Sequence, residues 1–102
     1  MSVYALILCG GSGTRMGGAG NKTLLPVGGM PAIVRSVRAF EGLTDGAVLV
    51  TRAGEEALFS DTLAAYGLAV SAIVPGGADR QASALCGLRA LPADADIVLI
   101  HD

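Results

Sequence analysis

At 102 residues, with 52% hydrophobic and only 16% charged residues, the chain is sized for a single domain and is too apolar to be a disordered, solvating polymer. A net charge of −2, only two Tyr and two Phe, and no basic run argue against nucleic acid as a main partner. No stretch approaches the ~20 apolar residues of a membrane-spanning helix, and Met1-Ser2-Val3-Tyr4 lacks the positive start of a signal peptide, so a cytoplasmic protein is expected.

Val3-Tyr4-Ala5-Leu6-Ile7-Leu8 is a short apolar run ended by glycines and reads as a buried strand. Pro31 suits the first turn of a helix, in which Ile33, Val34, Val37 and Phe40 recur at helical spacing opposite Arg35 and Arg38. Ala47–Val50 is a second strand. Glu55 to Tyr66 carries Leu58, Phe59, Leu63 and Tyr66 at helical period, and Gly67 is a natural stop. Ala69 to Val74 reads as a third strand, ended by Pro75-Gly76-Gly77. Asp79 to Leu91 reads as a third helix with Ala82, Leu85, Cys86 and Leu88 inward, and Ile97–Ile100 as a fourth strand.

The pattern is βαβαβαβ across residues 1–102. Strands apolar throughout, rather than alternating, point to burial on both faces of a parallel sheet. The fold class is therefore α/β, a Rossmann-like doubly wound sheet, with the four strands in the order 3-2-1-4. That order leaves Ile97–Ile100 at an edge, where an apolar strand is an aggregation liability. Ligands of such sheets sit at the carboxyl ends of the strands. Three segments fall there: the loop from Cys9 to Lys22, the turn from Pro75 to Arg80, and His101-Asp102.

The first segment holds Gly10, Gly11, Gly13, Gly17, Gly18 and Gly20, followed by Lys22, the only lysine of the chain. It is not a dinucleotide fingerprint, because Gly11-Ser12-Gly13-Thr14-Arg15-Met16 has no third glycine and the second strand ends in Val50-Thr51-Arg52 without an acidic ribose partner. Nor is it a P-loop, because Asn21 separates Gly20 from Lys22. Glycines let the main chain approach a ligand and turn its N–H groups inward. Arg15 adds a planar fork and Lys22 a point charge, the equipment for a triphosphate. In the second segment Arg80 and Ser83 share one face of the first helical turn. They either face a ligand over the helix N-terminus, or Asp79 caps the helix and Ser83 is an exposed filler. In the third, Asp102 is a carboxylate of the kind that holds Mg2+, which takes few protein ligands and keeps several waters, or an ordinary aspartate; His101 reads as structural. Cys9 and Cys86 make neither a disulfide framework nor a metal cluster and read as small buried hydrophobes.

Leu8-Cys9-Gly10-Gly11-Ser12-Gly13-Thr14-Arg15-Met16, then Lys22, then Leu25-Pro26-Val27-Gly28-Gly29-Met30-Pro31, resembles the opening of nucleotidyltransferases that activate phosphorylated sugars and polyols. Gly76-Gly77-Ala78-Asp79-Arg80-Gln81-Ala82-Ser83, Gly87-Leu88 and Val98-Leu99-Ile100-His101-Asp102 narrow the resemblance to the 2-C-methyl-D-erythritol 4-phosphate cytidylyltransferases of non-mevalonate isoprenoid synthesis. The resemblance implies transfer of CMP from CTP to a phosphorylated polyol with release of pyrophosphate. Arg15 and Lys22 would be catalytic. Leu8, Cys9, Gly10, Gly11 and Gly13 would line the nucleotide, Gly77, Arg80 and Ser83 its cytidine side, and Asp102 would bind Mg2+. It also implies that these residues are the N-terminal part of one nucleotidyltransferase domain, whose full-length form is a homodimer and whose remainder positions the acceptor. Departures are Asn21 and Thr23 around the lysine, where proline and glutamine are usual, and Ala78, where aspartate is common. Two alternatives stay open on the residues: a sister enzyme acting on ribitol phosphate or molybdopterin, and a nucleotide-binding fragment without turnover.

Overall fold

The chain forms strand β1 (Val3–Leu8), a two-residue pair β2 (Pro26–Val27) and β3 (Met30–Pro31), helix α1 (Ala32–Glu41), β4 (Gly46–Thr51), α2 (Glu56–Ala65), β5 (Ala72–Pro75), α3 (Arg80–Ala90) and β6 (Ile97–His101). This architecture is that of a computed structural model, which describes residues 2–9, 26–27 and 30–101. β5, β4, β1 and β6 make one four-stranded sheet in that order, all parallel. The order is the expected 3-2-1-4. β2 and β3 pair antiparallel outside that sheet, with Pro26 opposite Pro31 and Val27 opposite Met30.

The sheet is apolar through its centre because both faces are covered. Ala5, Ile7, Ala47 and Leu49 pack with Ile33, Val34 and Val37 of α1 and Phe59 and Leu63 of α2. Leu6, Val48 and Val50 face the other way, against Ala90, Leu91, Ala72, Val74 and Val98. Strand residues alternate between faces, so each continuous apolar run serves two cores. Two aspartates fix the amino end of β1. Asp45 accepts from the Val3 N–H at 2.8 Å and Asp96 from the Ser2 N–H at 2.8 Å.

Several boundaries differ from the sequence reading. Pro31 stands just before α1, in an extended conformation (φ −57°, ψ 143°), rather than in its first turn. The third strand begins at Ala72, not Ala69. Gly67 takes a positive φ of 72°, as its role as a stop requires, and the Leu68 N–H then bonds back to the Leu63 carbonyl at 3.0 Å. Leu68 thereby turns into the core, and pairing with β4 starts only at Ser71, whose N–H donates to Ala47 at 2.8 Å. β6 runs one residue further than expected, to His101.

Leu58 of α2 and Leu85 and Leu88 of α3 are exposed, against expectation. α2 is anchored by Phe59 and Leu63 alone, one turn apart. α3 meets the sheet through small residues, with Gly87 its buried position and Ala90 in contact with the core. The search for bulky inward residues therefore selects the wrong stripe of this helix. The exposed edge is as expected: Ile97, Leu99 and Ile100 of β6 are 40%, 37% and 50% exposed.

A Cβ at Gly87 would run into Leu6 Cδ1 and lie 2.7 Å from Val50 Cγ2. Gly87→Ala gains about 1 kcal/mol in helix propensity, but overpacking a tight contact costs ~1–3 kcal/mol. The variant is expected to melt lower, by ~4–8 °C for each kcal/mol of net loss. Gly42→Ala is the control, since nothing lies within 4 Å of a Cβ there. An unchanged or raised melting temperature for Gly87→Ala contradicts the close approach of α3.

Candidate active site

The carboxyl ends of the strands form one level edge. Leu8 is in register with Val50, Thr51 with Pro75, and Ile7 with His101. The lattice continues past the strands: the Cys9 N–H donates to the Val50 carbonyl and the Gly76 N–H to the Thr51 carbonyl, each at 2.7 Å. The exits of β1 and β5 are thereby tied to β4 between them. Leu8 and Cys9 stand on one side of β4, and Gly77, Arg80 and Ser83 follow β5 on the other. Gly10, Gly11, Gly13, Arg15, Lys22 and Asp102 lie outside the described residues.

The turn after β5 is built for close packing. A Cβ at Gly76 would sit 2.6 Å from Ser83 Oγ and 3.0 Å from Val50 Cγ1, and one at Gly77 would run into the Ala82 side chain. The Gly77 N–H donates to Ser83 Oγ at 3.2 Å, and Asp79 caps α3 by accepting from the Ala82 N–H at 2.8 Å. Asp79 is thus the cap, and Ser83 is half-buried and ties the turn to the helix. A hydroxyl that accepts one bond still has its proton to donate. Arg80 opens the helix from an exposed position.

Cys9 is buried in the core below the edge, and its thiol donates to the Ile7 carbonyl at 3.6 Å. Burial, and then the negative charge of Glu55, push this thiol up to about 12. A thiol that keeps its proton is no nucleophile. The Cys9 N–H is committed to the Val50 carbonyl.

His101 holds β6 to α1. Its Nε2 lies 3.5 Å from Ser36 Oγ, and its ring meets Phe40 edge-on with centroids 5.6 Å apart. These are packing contacts of a structural kind, as expected for this residue. Among the described residues, no three His, Cys, Asp or Glu side chains gather as a metal site, and no helix is long and apolar enough to cross a membrane.

One feature of the edge was not singled out from sequence. Thr51, at the end of β4, is buried and donates its hydroxyl to the Arg52 carbonyl at 2.9 Å. Arg52 Nη2 is buried with no hydrogen-bond partner. The available signal was the cation itself, standing where a dinucleotide site would carry an acid.

Parallel strand order, helices on both faces and a glycine turn after β5 at a level carboxyl edge define an open, doubly wound α/β class of protein. The family model for 2-C-methyl-D-erythritol 4-phosphate cytidylyltransferase matches residues 3–102. A relative of that name from Geobacter metallireducens is 43% identical over 109 residues, covering 100% of this chain and 47% of the relative. Another from Geobacillus kaustophilus is 41% identical over 105 residues, covering 100% of this chain and 46% of the relative. The crystal structure of 4-diphosphocytidyl-2C-methyl-D-erythritolsynthase from Anaerococcus prevotii superimposes with a TM-score of 0.74 at 27% identity, covering 99% of this chain and 42% of that one. The chain belongs to the 2-C-methyl-D-erythritol 4-phosphate cytidylyltransferase family, and it spans about half the length of the relatives it matches.

The Cys9 environment has a measurable consequence. Its folded thiol is raised to about 12, whereas an unfolded cysteine titrates near ~8.5. The stability this proton holds is fully present below ~8.5 and is lost as pH rises from there towards the folded value. At pH 8, iodoacetamide is expected to modify half-buried Cys86 in the native chain and to reach Cys9 only on unfolding. Equal native rates at the two cysteines contradict the assignment.

Proposed function

We propose that this chain forms the nucleotide-binding half of a cytidylyltransferase that transfers CMP from CTP to 2-C-methyl-D-erythritol 4-phosphate and releases pyrophosphate. The observation that carries the reading is the family match over residues 3–102, which includes both the glycine loop after β1 and the Gly76–Ser83 turn after β5. The whole reaction is assigned to the longer protein typical of the family, with this chain supplying the nucleotide side.

The chemistry is in-line attack by an acceptor phosphate oxygen on the α-phosphorus of CTP, with pyrophosphate leaving. That oxygen is already ionised at neutral pH, so no general base is needed. This suits an edge whose one cysteine keeps its proton and whose one histidine packs on α1. The barrier is charge repulsion and alignment. Arg15 and Lys22 stabilise the developing charge, and the backbone of Leu8 to Gly13 approaches the phosphates. Gly77, Arg80 and Ser83 take the cytidine side. Asp102, the residue after β6, is the hard oxygen donor suited to Mg2+. Bound Mg2+ would neutralise phosphate charge. Highly charged substrates fit a cytoplasmic enzyme. A homodimer is proposed for the longer protein.

Thermal melts with and without nucleotide test the binding half. CTP–Mg2+ at a hundred times its dissociation constant should stabilise the folded chain by ~2.7 kcal/mol, and GTP–Mg2+ should do less. No shift with any nucleotide overturns the reading, and a larger shift with GTP points to guanylyl transfer. In the longer protein carrying these residues, Lys22→Met should lower kcat at least ~100-fold, as for loss of one preorganised cation. Arg15→Lys should also impair turnover, because a point charge does not replace a bidentate fork. Near-normal turnover in Lys22→Met removes the assigned chemistry.

A further inference from the structure

Val50 stands just before the last residue of β4, the strand that lies between the two segments assigned above to the nucleotide. Its side chain is buried, on the same face of the sheet as Leu6 and Val48. Both of its branches are engaged. A Cβ at Gly76, in the turn after β5, would lie 3.0 Å from Val50 Cγ1, and one at Gly87, in α3, would lie 2.7 Å from Val50 Cγ2. One methyl is thus set against the bare backbone of the turn and the other against the bare backbone of the helix. The main chain of the same residue makes a third link. Its carbonyl accepts from the Cys9 N–H at 2.7 Å, where the chain leaves β1.

Gly76 and Gly87 bound the segment that carries Gly77, Arg80 and Ser83, and that segment closes on itself. The Gly77 N–H donates to Ser83 Oγ at 3.2 Å, and Asp79 accepts from the Ala82 N–H at 2.8 Å. It therefore rests on Val50 at both ends. β-Branching leaves the two methyls little rotamer freedom, and a close-packed interior transmits displacement rather than absorbing it. The span between the branches then acts as a gauge for where the turn and the helix sit. Val48, two residues earlier on the same face and equally buried, is not among the nearest neighbours of either glycine. We propose that Val50 is a positioning residue for the nucleotide: its two branches hold the turn after β5 and α3 at the spacing that presents Gly77, Arg80 and Ser83 to CTP. This rests on the CTP reading above and adds to it a residue that acts on the nucleotide without touching it.

The test makes two measurements on the unsubstituted chain, Val50→Ala, Val50→Thr and Val48→Ala. One is amide hydrogen exchange at Gly76 and Gly77 without nucleotide; the other is isothermal titration with CTP at a temperature where each variant is folded. Val50→Ala and Val48→Ala both empty space in one core, so both should melt lower. Only Val50→Ala should release the turn, with exchange at Gly76 and Gly77 faster than in Val48→Ala and CTP bound ~10-fold more weakly. Val50→Thr keeps both branches but buries a hydroxyl. It should melt lower and yet bind CTP as the unsubstituted chain does. Equal losses of CTP affinity in Val50→Ala and Val48→Ala make Val50 an ordinary core residue and overturn the proposal. A Val50→Thr as weak as Val50→Ala overturns it too, because the branches would then not be what matters. Should Val50→Ala fail to fold, Val50→Ile, which lengthens one branch, takes its place with the same loss expected, and an unchanged affinity there overturns the proposal. Unchanged exchange and CTP affinity in a folded Val50→Ala overturn the role of Val50 while leaving the CTP reading intact. No CTP binding by the unsubstituted chain overturns both.

Discussion

The arrangement depends on the pairing of β1 between two parallel neighbours. With β4 on one side and β6 on the other, every backbone group of its centre is matched within the sheet. A strand in that position is covered on both faces, which is why Ala5, Leu6 and Ile7 are all buried. The same lattice sets the site. Because Cys9 and Gly76 each donate to β4 one step beyond the strands, the exits of β1, β4 and β5 are level, and the loops that follow start from fixed points. Shifting one strand by a residue would invert its core-facing side chains and displace its loop at once.

The helix that follows the turn after β5 is coupled to the sheet by contact rather than by bulk. Gly87 lets α3 lie directly on Leu6 and Val50. The start of the same helix carries Asp79, which caps it, and Ser83, which accepts from Gly77. The depth at which α3 sits therefore sets the shape of the turn after β5. Packing and site geometry are one constraint here, and a substitution far from the edge reaches it through the axis of a single helix.

Much of this was legible in the chain because the signals were local and strong. An apolar run ended by glycines marked β1, a second apolar run marked β4, a helical period marked α1, and their alternation gave a parallel sheet with the observed order. Gly67 and Asp79 acted as their chemistry requires. What was misread has physical reasons. Leu85 and Leu88 look inward only if a helix must bury bulky residues, and α3 buries small ones. Ala69 looks like strand, but the bond from Leu68 back to Leu63 delays pairing. The two-residue pair β2 and β3 is too short to leave a periodic signal. For the site, Leu8, Cys9, Gly77, Arg80 and Ser83 do lie along one edge. Arg52 escaped notice because an unpaired donor is a property of three-dimensional surroundings, not of a motif.

The central claim is that the carboxyl edge of the sheet receives CTP. Titrating the 15N-labelled chain with CTP–Mg2+ and following backbone amide resonances tests it most directly. The account predicts saturable shifts concentrated at Cys9, Arg52, Gly76, Gly77, Arg80 and Ser83, with Asp45 and Asp96 at the opposite edge unmoved. Shifts confined to the amino edge, or to the apolar groove between α2 and β5 that Ser60, Ala64 and Ile73 line, would contradict it, as would a spectrum that CTP leaves unchanged.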